Sequence, residues 1–348
     1  MDHSAVQFGL DTFGDMTVDP EGQPLSAAQV IRDVVTQAEL ADAVGVDAFG
    51  IGEHHREDFA ISAPDMVLAA IAARTSRILL GTAVTVLSSD DPIRVYQRFA
   101  TLAALSNGRA EVTLGRGSFT ESFPLFGHSL DDYDTLFAEK LELFTRLQTE
   151  QPVSFRGTTR APLSPTQVHP RTEAGTVPAW LAVGGTPESV VRAAEHRLPL
   201  MLAIIGGDPT RFAPFAELYR RARAEFHPDA DDLPIGVHSP GYVARTDQEA
   251  ADLLFDHFKA NRDRIGRERG WPPASRIDYE QEIRHGALFV GSPDTVAAKI
   301  ARTVTALGLS RFDLKYASGP MPHEQLMSCI ELYGTEVIPR VRRLLASA

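Results

Sequence analysis

The sequence predicts an α/β protein built as a (β/α)8 barrel, and three observations support that prediction. Short apolar runs rich in β-branched residues alternate with longer segments of helical period along the 348 residues. Eight such strand and helix units can be counted, which matches a closed barrel of parallel strands. No break in composition marks a second domain, so a single domain over 1–348 is expected. A doubly wound open sheet, which usually has fewer strands, is the competing fold.

The first four units lie before residue 150. Their strands are apolar runs such as "VQFGLDTF" (6–13), and the segments between them carry apolar residues three or four apart, as helices packed on a sheet do. The expected strands are 6–13, 46–52, 77–87 and 108–115, and the expected helices are 26–45, 64–76, 92–106 and 132–148.

The second four units complete the barrel with two interruptions. Their expected strands are 179–185, 199–207, 234–244 and 311–318, and their helices begin at Pro187, Pro209, about Asp247 and His323. A stretch rich in Pro and Thr at 151–178 and a segment at 262–298 are interpreted as inserts.

Charge and composition exclude several classes of function. The chain has 34 Lys and Arg against 46 Asp and Glu, a net charge of −12 that repels nucleic acid and anionic membrane surfaces. Cys329 is the only cysteine, so no disulfide can form within the chain. No export signal or long apolar span is found, and we expect a cytoplasmic protein.

An acid and two histidines follow the second predicted strand, in "FGIGEHHRED" (49–58). The loops that leave the carboxyl ends of barrel strands form active sites, so Glu53, His54 and His55 are expected at that end. Successive residues point in opposite directions, so one histidine should face the barrel mouth and the other should pack outward. A metal site is less favoured, because no third ligand at suitable spacing completes it.

Two glycines flank an arginine just past the fourth strand. Gly115 and Gly117 allow a tight turn that presents the Arg116 guanidinium to an anion, in a geometry suited to phosphate, although pairing with a surface acid is the alternative. Phenylalanines at 119, 123 and 126 supply apolar wall on the same face or belong to the core.

Two helix starts offer a phosphate cradle. Gly184 and Gly185 precede Thr186 as N-cap and Pro187 at the first helical position, so free N–H groups and the helix dipole point at whatever lies above them. The stretch "FVGSPDTVAAKI" (289–300) repeats the pattern with its own Ser-Pro pair. Physical reasoning on the sequence leaves the choice between them open.

Four motifs in order resemble those of the bacterial luciferase-like, flavin-dependent monooxygenases. They are "EHH" (53–55), "GTAVTVLSSDDPIRV" (81–95), "LSNGRAEVTLGRGSF" (105–119) and "FG" (126–127) before a helix with Glu139. The likeness extends over nearly the whole chain. It implies a (β/α)8 barrel, usually a homodimer, that binds reduced FMN from a separate flavin reductase and uses dioxygen to oxidise a small organic substrate, as alkanal monooxygenases do.

The resemblance also implies roles for single residues. His54 matches the family's active-site histidine, a base beside the flavin, and His55 is then its outward neighbour. The bond between Ala83 and Val84 matches a non-prolyl cis peptide under the flavin ring. The phosphate-binding residues implied are Gly115, Arg116, Gly117 and Ser118 in one turn and Gly184, Gly185, Thr186 and Ser189 in the other. The resemblance therefore selects the turn at 184–189 over the one at 291–295.

One departure and two alternatives accompany the resemblance. Some relatives supply a second arginine to the phosphate near Asp131, where this chain has Tyr133 and Thr135, so flavin binding is expected to be weaker by about 1 to 3 kcal/mol. Part of the family uses the deazaflavin F420 for hydride transfer, which is the first alternative. A non-catalytic flavin-binding subunit is the second.

Overall fold

Parallel β-strands form the centre of the molecule in the computed structural model, which describes residues 6–229 and 231–347. The strands are β1 (Gln7–Thr12), β2 (Ala48–Ile51), β3 (Leu79–Thr82), β4 (Thr85–Val86), β5 (Val112–Gly115), β6 (Val153–Phe155), β7 (Leu163–Thr166), β8 (Ala179–Val183), β9 (Leu200–Ala203), β10 (Ile235–Val243), β11 (Phe289–Gly291) and β12 (Arg311–Lys315). Ten of them share one sheet, in the order β3, β2, β1, β12, β10, β9, β8, β5 and β4, with β11 beside β10.

The sheet closes on itself between β3 and β5. Leu80 of β3 bridges Ala110 just before β5, and β4 pairs with β5 in parallel register. Strands β3 and β4 therefore act as two halves of one barrel strand, which gives eight positions around the ring. The (β/α)8 barrel predicted from the sequence is confirmed.

Helices surround the sheet and bury its outer face. They are α1 (Ala27–Ala43), α2 (Pro64–Ala72), α3 (Pro92–Leu105), α4 (Ser122–Leu125), α5 (Tyr133–Thr149), α6 (Pro187–Glu195), α7 (Ala213–Phe226), α8 (Asp247–Arg269), α9 (Arg276–His285), α10 (Pro293–Leu307), α11 (His323–Leu332) and α12 (Ile338–Ala346). Short 3-10 segments precede α5 and α7, and a π-helical turn joins α11 to α12. Within the described residues, none of these helices is both long and apolar enough to span a bilayer.

The structure differs from the expected elements in three places. The strand expected at 77–87 is interrupted between Thr82 and Thr85. The segment 262–298 is mostly regular, because α8 continues to Arg269 and α9, β11 and the start of α10 follow it. The segment 151–178 carries a small antiparallel ribbon of β6 and β7.

Alternation along β1 shows why the barrel interior is polar. Phe8 and Leu10 are fully buried in the apolar core between sheet and helices. A Cβ atom on Gly9 would meet the carboxylate of Asp313, so Gly9 and, two residues on, Asp11 point into the barrel. The apolar core therefore lies outside the sheet, and the space inside it holds charged residues, small residues and some large ones such as Trp180, whose Nε1 donates to Glu111.

Candidate active site

The carboxyl ends of the barrel strands gather the residues that the sequence singled out. This end of the barrel, called the mouth below, is framed by Phe13 after β1, His54 after β2, Ala83 between β3 and β4, and the turns 115–118 and 184–189 after β5 and β8. Several positions that line it are glycine or alanine, including Gly50, Gly52, Ala83 and Gly115. A Cβ atom on Gly115 would lie 2.5 Å from Cγ2 of Val84, so glycine there lets the Arg116 turn pack closely on the segment that carries Ala83 and Val84.

His54 is enclosed by aromatic rings at the mouth. Its ring centroid lies 4.3 Å from that of Phe59, 4.6 Å from that of Phe13 and 5.4 Å from that of Phe119. Burial, and after it the positive charge of Lys315, lowers the pKa of His54 to about 3. The imidazole is therefore neutral near pH 7, well above the pH at which it would gain a proton.

His55 packs away from the mouth, as the alternation predicted. Its Nε2 lies 3.0 Å from Oε1 of Glu53, and its ring meets Phe126 edge-on at 5.1 Å. The side chain lines a separate cavity of about 190 Å³ together with Asp65, Asp90 and Arg98, among others. The prediction that only one of the two histidines faces the mouth is confirmed.

Glu53 fixes the backbone beside His54 to the strand that carries Ala83 and Val84. Its N–H donates to the carbonyl oxygen of Val84 at 3.2 Å, and its Oε2 accepts from the Val86 N–H at 2.9 Å. The carboxylate is 9% exposed. The peptide bond between Ala83 and Val84 is cis, as the resemblance implied. Glu53 therefore couples the position of His54 to the backbone at the floor of the mouth.

The two glycine turns meet in space. Nη2 of Arg116 donates to Oγ of Ser189 at 3.3 Å, although the residues follow different strands. Gly117 has φ 81° and Gly185 has φ 109°, backbone conformations that suit glycine. The structure thus brings the 115–118 and 184–189 turns to one side of the mouth, as the resemblance implied.

The N-terminus of α6 is open, whereas its sequence twin is filled. Thr186 occupies the N-cap position, but its side chain accepts no hydrogen bond from the helix, and its hydroxyl donates to Oγ of Ser189 at 2.7 Å. At α10, Ser292 caps the helix, and the Asp247 carboxylate accepts from its N–H at 2.7 Å. A carboxylate already occupies the α10 start, so only the α6 start can receive an anion.

Helix α5, which has Tyr133 and Thr135 where some relatives supply a second arginine, contacts the same corner of the mouth. Oη of Tyr133 donates to the Gly117 carbonyl oxygen at 3.0 Å. Asp134 accepts from Nη1 of Arg116 at 3.1 Å, and its side chain is 79% exposed. Arg116 is therefore shared between Ser189 and a competing carboxylate.

Of the three phenylalanines after β5, only Phe119 contacts His54. Phe123 is fully buried and stacks on Tyr133, whereas Phe126 is half exposed beside His55. Phe119 itself lies under the guanidinium of Arg56, 4.7 Å from its ring centroid. Of the three rings predicted to form an apolar wall or to belong to the core, only Phe119 therefore lines the mouth beside His54.

An ion-pair network covers His54 and Phe119. Arg56 pairs with Asp58 in its own loop, with Glu121 after β5 and with Glu268 at the end of α8. Nη2 of Arg269 donates to the Ser118 carbonyl oxygen at 3.1 Å. Three segments distant in sequence are thus held over the mouth.

Charged residues inside the barrel were missed by the sequence analysis. Nδ1 of His238 donates to Oδ2 of Asp11 at 2.6 Å, and Nζ of Lys315 lies 3.1 Å from Oδ2 of Asp15. Lys315 also lies 4.5 Å from the Phe13 ring centroid. The available signal was a charged residue at alternate positions of predicted strands, as in "QFGLDTF" and "RFDLKYA". Such residues point into the barrel rather than toward the helices.

Known proteins share this architecture and sequence pattern. Residues 12–311 match the model of the family described as luciferase-like monooxygenase. The chain belongs to the luciferase-like monooxygenase family. It is accordingly an enzyme of the oxidoreductase class, as the resemblance implied.

Two curated relatives are monooxygenases by name. The N-acetyl-S-alkylcysteine monooxygenase of Bacillus subtilis is 29% identical over 298 residues, which cover 81% of this chain and 85% of the relative. An alkanal monooxygenase alpha chain of Photorhabdus luminescens is 22% identical over 366 aligned positions, covering 94% and 96%.

Solved structures of similar chains include proteins with two kinds of cofactor. Monooxygenase RslO1 from Streptomyces bottropensis superposes with a TM-score of 0.80 at 27% identity, covering 96% of this chain and 99% of that one. The oxygenating constituent of 3,6-diketocamphane monooxygenase from Pseudomonas putida, solved with FMN, gives 0.74 at 19%, covering 97% and 99%. An F420-dependent secondary alcohol dehydrogenase gives 0.75 at 19%, with the same coverage. The last two likenesses establish the fold alone.

Proposed function

We propose that the protein is an FMN-dependent monooxygenase that uses reduced FMN and dioxygen to oxidise a small organic substrate. One observation carries the proposal: the Arg116 turn meets the open N-terminus of α6 beside the neutral imidazole of His54. A phosphorylated planar cofactor requires an anion-binding corner and a floor of small residues, and both lie at this mouth beside an imidazole.

The corner fits the phosphate of FMN. Arg116 supplies a cation with a planar fork of donors, and Ser189 and Thr186 supply hydroxyls. The first turn of α6 adds the Glu188 N–H, which no N-cap side chain accepts, whereas Pro187 has no N–H and the Ser189 N–H donates to the Thr186 carbonyl oxygen. We assign phosphate binding to Gly115, Arg116, Gly117, Ser118, Gly184, Gly185, Thr186 and Ser189.

The floor fits a flat ring system. Position 50 is glycine because a Cβ there would lie 3.1 Å from Cβ of Asp11 and 3.3 Å from that of Ala83. Gly52 and Gly115 are packed as closely, against Phe13 and Val84, whereas a Cβ on Gly184 would meet no atom of the described chain within 4 Å. We assign Ala83 and Val84 to contact with the ring, since Glu53 holds their segment in place.

His54 and the loops joined by Arg56 line the space beside the ring. Bound reduced flavin supplies the electrons that activate dioxygen. A neutral imidazole can accept a hydrogen bond from a substrate or from a protonated oxygen and so orient it, which is the catalytic role that we assign to His54. The Arg56 network and Phe119 exclude water from the same space.

Further parts of the proposal rest on the sequence. The family resemblance implies that a separate reductase supplies the reduced flavin, that the protein is a homodimer, and that the substrate is an aldehyde, a ketone or another small electron-poor molecule. The composition favours a cytoplasmic protein with one domain per chain. The phenylalanines at 13, 59 and 119 around His54 favour an apolar substrate over a charged one.

Cofactor binding and oxygen uptake test the proposal together. The purified chain is titrated with FMN and, separately, with F420, and binding is followed by flavin or deazaflavin fluorescence. Oxygen uptake is then measured with reduced FMN and a panel of aldehydes and ketones. FMN binding with substrate-stimulated uptake supports the proposal. Binding of F420 without FMN binding would sink it in favour of hydride transfer.

A second experiment tests the role of His54. His54→Ala should retain FMN binding and lose most substrate-dependent oxygen uptake, because a reacting oxygen that the imidazole no longer orients is expected to react about 10²-fold more slowly. Turnover equal to that of the wild type would remove the assigned role. FMN binding without turnover on any substrate would instead favour a non-catalytic flavin-binding subunit.

A further inference from the structure

Two imidazoles flank one phenylalanine ring inside the mouth. The Phe13 ring centroid lies 4.6 Å from that of His54 and 5.9 Å from that of His238, and the His238 ring is parallel to Phe13 within 9°. His54 follows β2, whereas His238 lies on β10 across the barrel. The two rings therefore approach the same interior space from different strands.

The surroundings of His238 shift its pKa in the opposite direction to those of His54. Burial alone would lower the pKa of His238, but the Asp11 carboxylate that accepts from Nδ1 outweighs this effect and raises it. His54 has no such carboxylate, and its pKa falls to about 3. Pairs of titratable groups whose surroundings separate their pKa values are typical of an acid and a base that work together.

The charges around His238 come from two neighbouring strands. Asp11 faces it from β1, Asp313 and Lys315 face it from β12, and the residue in register on β9 is the uncharged Ala203. The wider interior holds the carboxylates Asp11, Asp15, Glu111 and Asp313 against the cations Arg311 and Lys315. Carboxylates thus outnumber these two cations, which favours an additional proton on His238.

The pair formed by Asp11 and His238 has polar atoms that are left for a ligand. Asp11 is 1% exposed, and its second oxygen, Oδ1, is buried without a hydrogen-bond partner in the described chain. The side chain of His238 is 12% exposed, and with Nδ1 held by Asp11 its Nε2 is the nitrogen left for a bound molecule. A fully satisfied structural pair would not leave a buried carboxylate oxygen free.

We propose that His238, seated on Asp11, and not His54, is the imidazole that delivers the proton in the reaction at this mouth. The inference deepens the proposed function and rests on it. In the step, the Nε2–H bond of His238 breaks and its proton goes to an oxygen that becomes negatively charged on the bound reactant. Neutral His238 remains with its Nδ1–H bonded to Asp11, and solvent later restores the proton. His54 stays neutral and orients that oxygen.

The first test needs no cofactor. Imidazole nitrogens of the isotopically labelled chain are titrated by NMR, and the signals of residues 238 and 54 are assigned with His238→Gln and His54→Gln. The expected result is that His238 stays protonated above the pH at which an ordinary histidine loses its proton, whereas His54 stays neutral down to about pH 4. A neutral His238 at pH 6 would overturn the inference.

The second test separates proton delivery from structural support. Oxygen uptake with reduced FMN and an active substrate is measured against pH for the wild type, Asp11→Asn, His238→Gln and the control His227→Gln, whose imidazole contacts the Glu195 carbonyl oxygen at the end of α6. His238→Gln should lose at least about 100-fold in turnover. Asp11→Asn should move the alkaline limb of the profile down by about one pH unit or more and regain turnover in acid.

The outcomes distinguish this inference from the proposed function. Wild-type pH profiles in His238→Gln or Asp11→Asn, with FMN bound and turnover present, would overturn the inference alone. A uniform loss in Asp11→Asn at every pH, with its thermal unfolding temperature unchanged, would also overturn it. Failure of the wild type to bind FMN would overturn both proposals.

Discussion

Arg116 and Ser189 lie on turns after different barrel strands, yet the guanidinium of one donates to the hydroxyl of the other at 3.3 Å. The contact brings a cation, a hydroxyl and the start of α6 to one corner of the mouth. Many proteins bind phosphate through this combination, so we expect the phosphate of FMN to bind at this corner.

Arg116→Gln should weaken FMN binding about 10- to 100-fold, since a hydrogen bond to a charged group contributes about 1.5 to 3 kcal/mol. Ser189→Ala removes a neutral hydroxyl and should cost less. Fluorescence titration measures both, with Arg32→Gln as the control, because Arg32 contacts Gln29 on the surface of α1. Unchanged affinity in Arg116→Gln would place the phosphate elsewhere.

Asp134→Asn should tighten FMN binding by about two- to fivefold. The carboxylate competes with phosphate for Arg116, but the pair is largely exposed and therefore weak, within about 1 kcal/mol. Asp132→Asn is the matched control, because it removes the same charge two residues away at the start of the same helix. Equal effects of the two variants would mean that helix charge, rather than Arg116, is responsible.

Glu53→Ala should lower the free energy of unfolding by about 1 to 3 kcal/mol, because the buried Val86 N–H loses its acceptor. Glu53→Gln keeps an oxygen for that N–H and should lose less, so it serves as the control. Urea unfolding at pH 7 measures both variants. The idea fails if alanine and glutamine at this position unfold at the same urea concentration.

Acid should destabilise the protein partly through His54. The pKa of His54 is lower in the folded chain, about 3, than in the unfolded chain, about 6.5. Between these values the unfolded state binds a proton that the folded state does not, so stability falls as pH falls. Between pH 7 and pH 4 this contribution reaches up to about 3 kcal/mol.

His54→Phe removes the titrating group but keeps an aromatic ring among its neighbours. The free energy of unfolding of this variant should fall less than that of the wild type between pH 7 and pH 4, and the difference between the two should be constant above pH 7. Parallel curves over the acid range would show that His54 is protonated in the folded chain as readily as in the unfolded one.

Local patterns were sufficient to predict the barrel. Period-two and period-3.6 repeats gave eight units, and alternation after β2 gave the opposite directions of His54 and His55. The split of the third strand between Thr82 and Thr85 and the regular structure within 262–298 were not expected. Both depend on contacts with other strands, such as β11 on β10, that no local window contains.

The site was predicted only in part for the same physical reason. The choice between the starts of α6 and α10 depends on Asp247, which is 45 residues from Ser292 in the chain and fills the second of them. The low pKa of His54 depends on burial and on Lys315, which lies on the last strand. The Asp11 and His238 pair joins residues 227 positions apart. These are long-range contacts, and sequence spacing carries little information about them.

The glycines at positions 50, 52 and 115 have a consequence for which substitutions the mouth tolerates. A methyl group added at one of them would press on a neighbouring side chain, which is Asp11 or Ala83 at position 50, Phe13 at position 52 and Val84 at position 115. Alanine there would displace the residues that surround His54, whereas a Cβ at position 184 meets no atom of the described chain within 4 Å, so alanine should fit at that position without a clash.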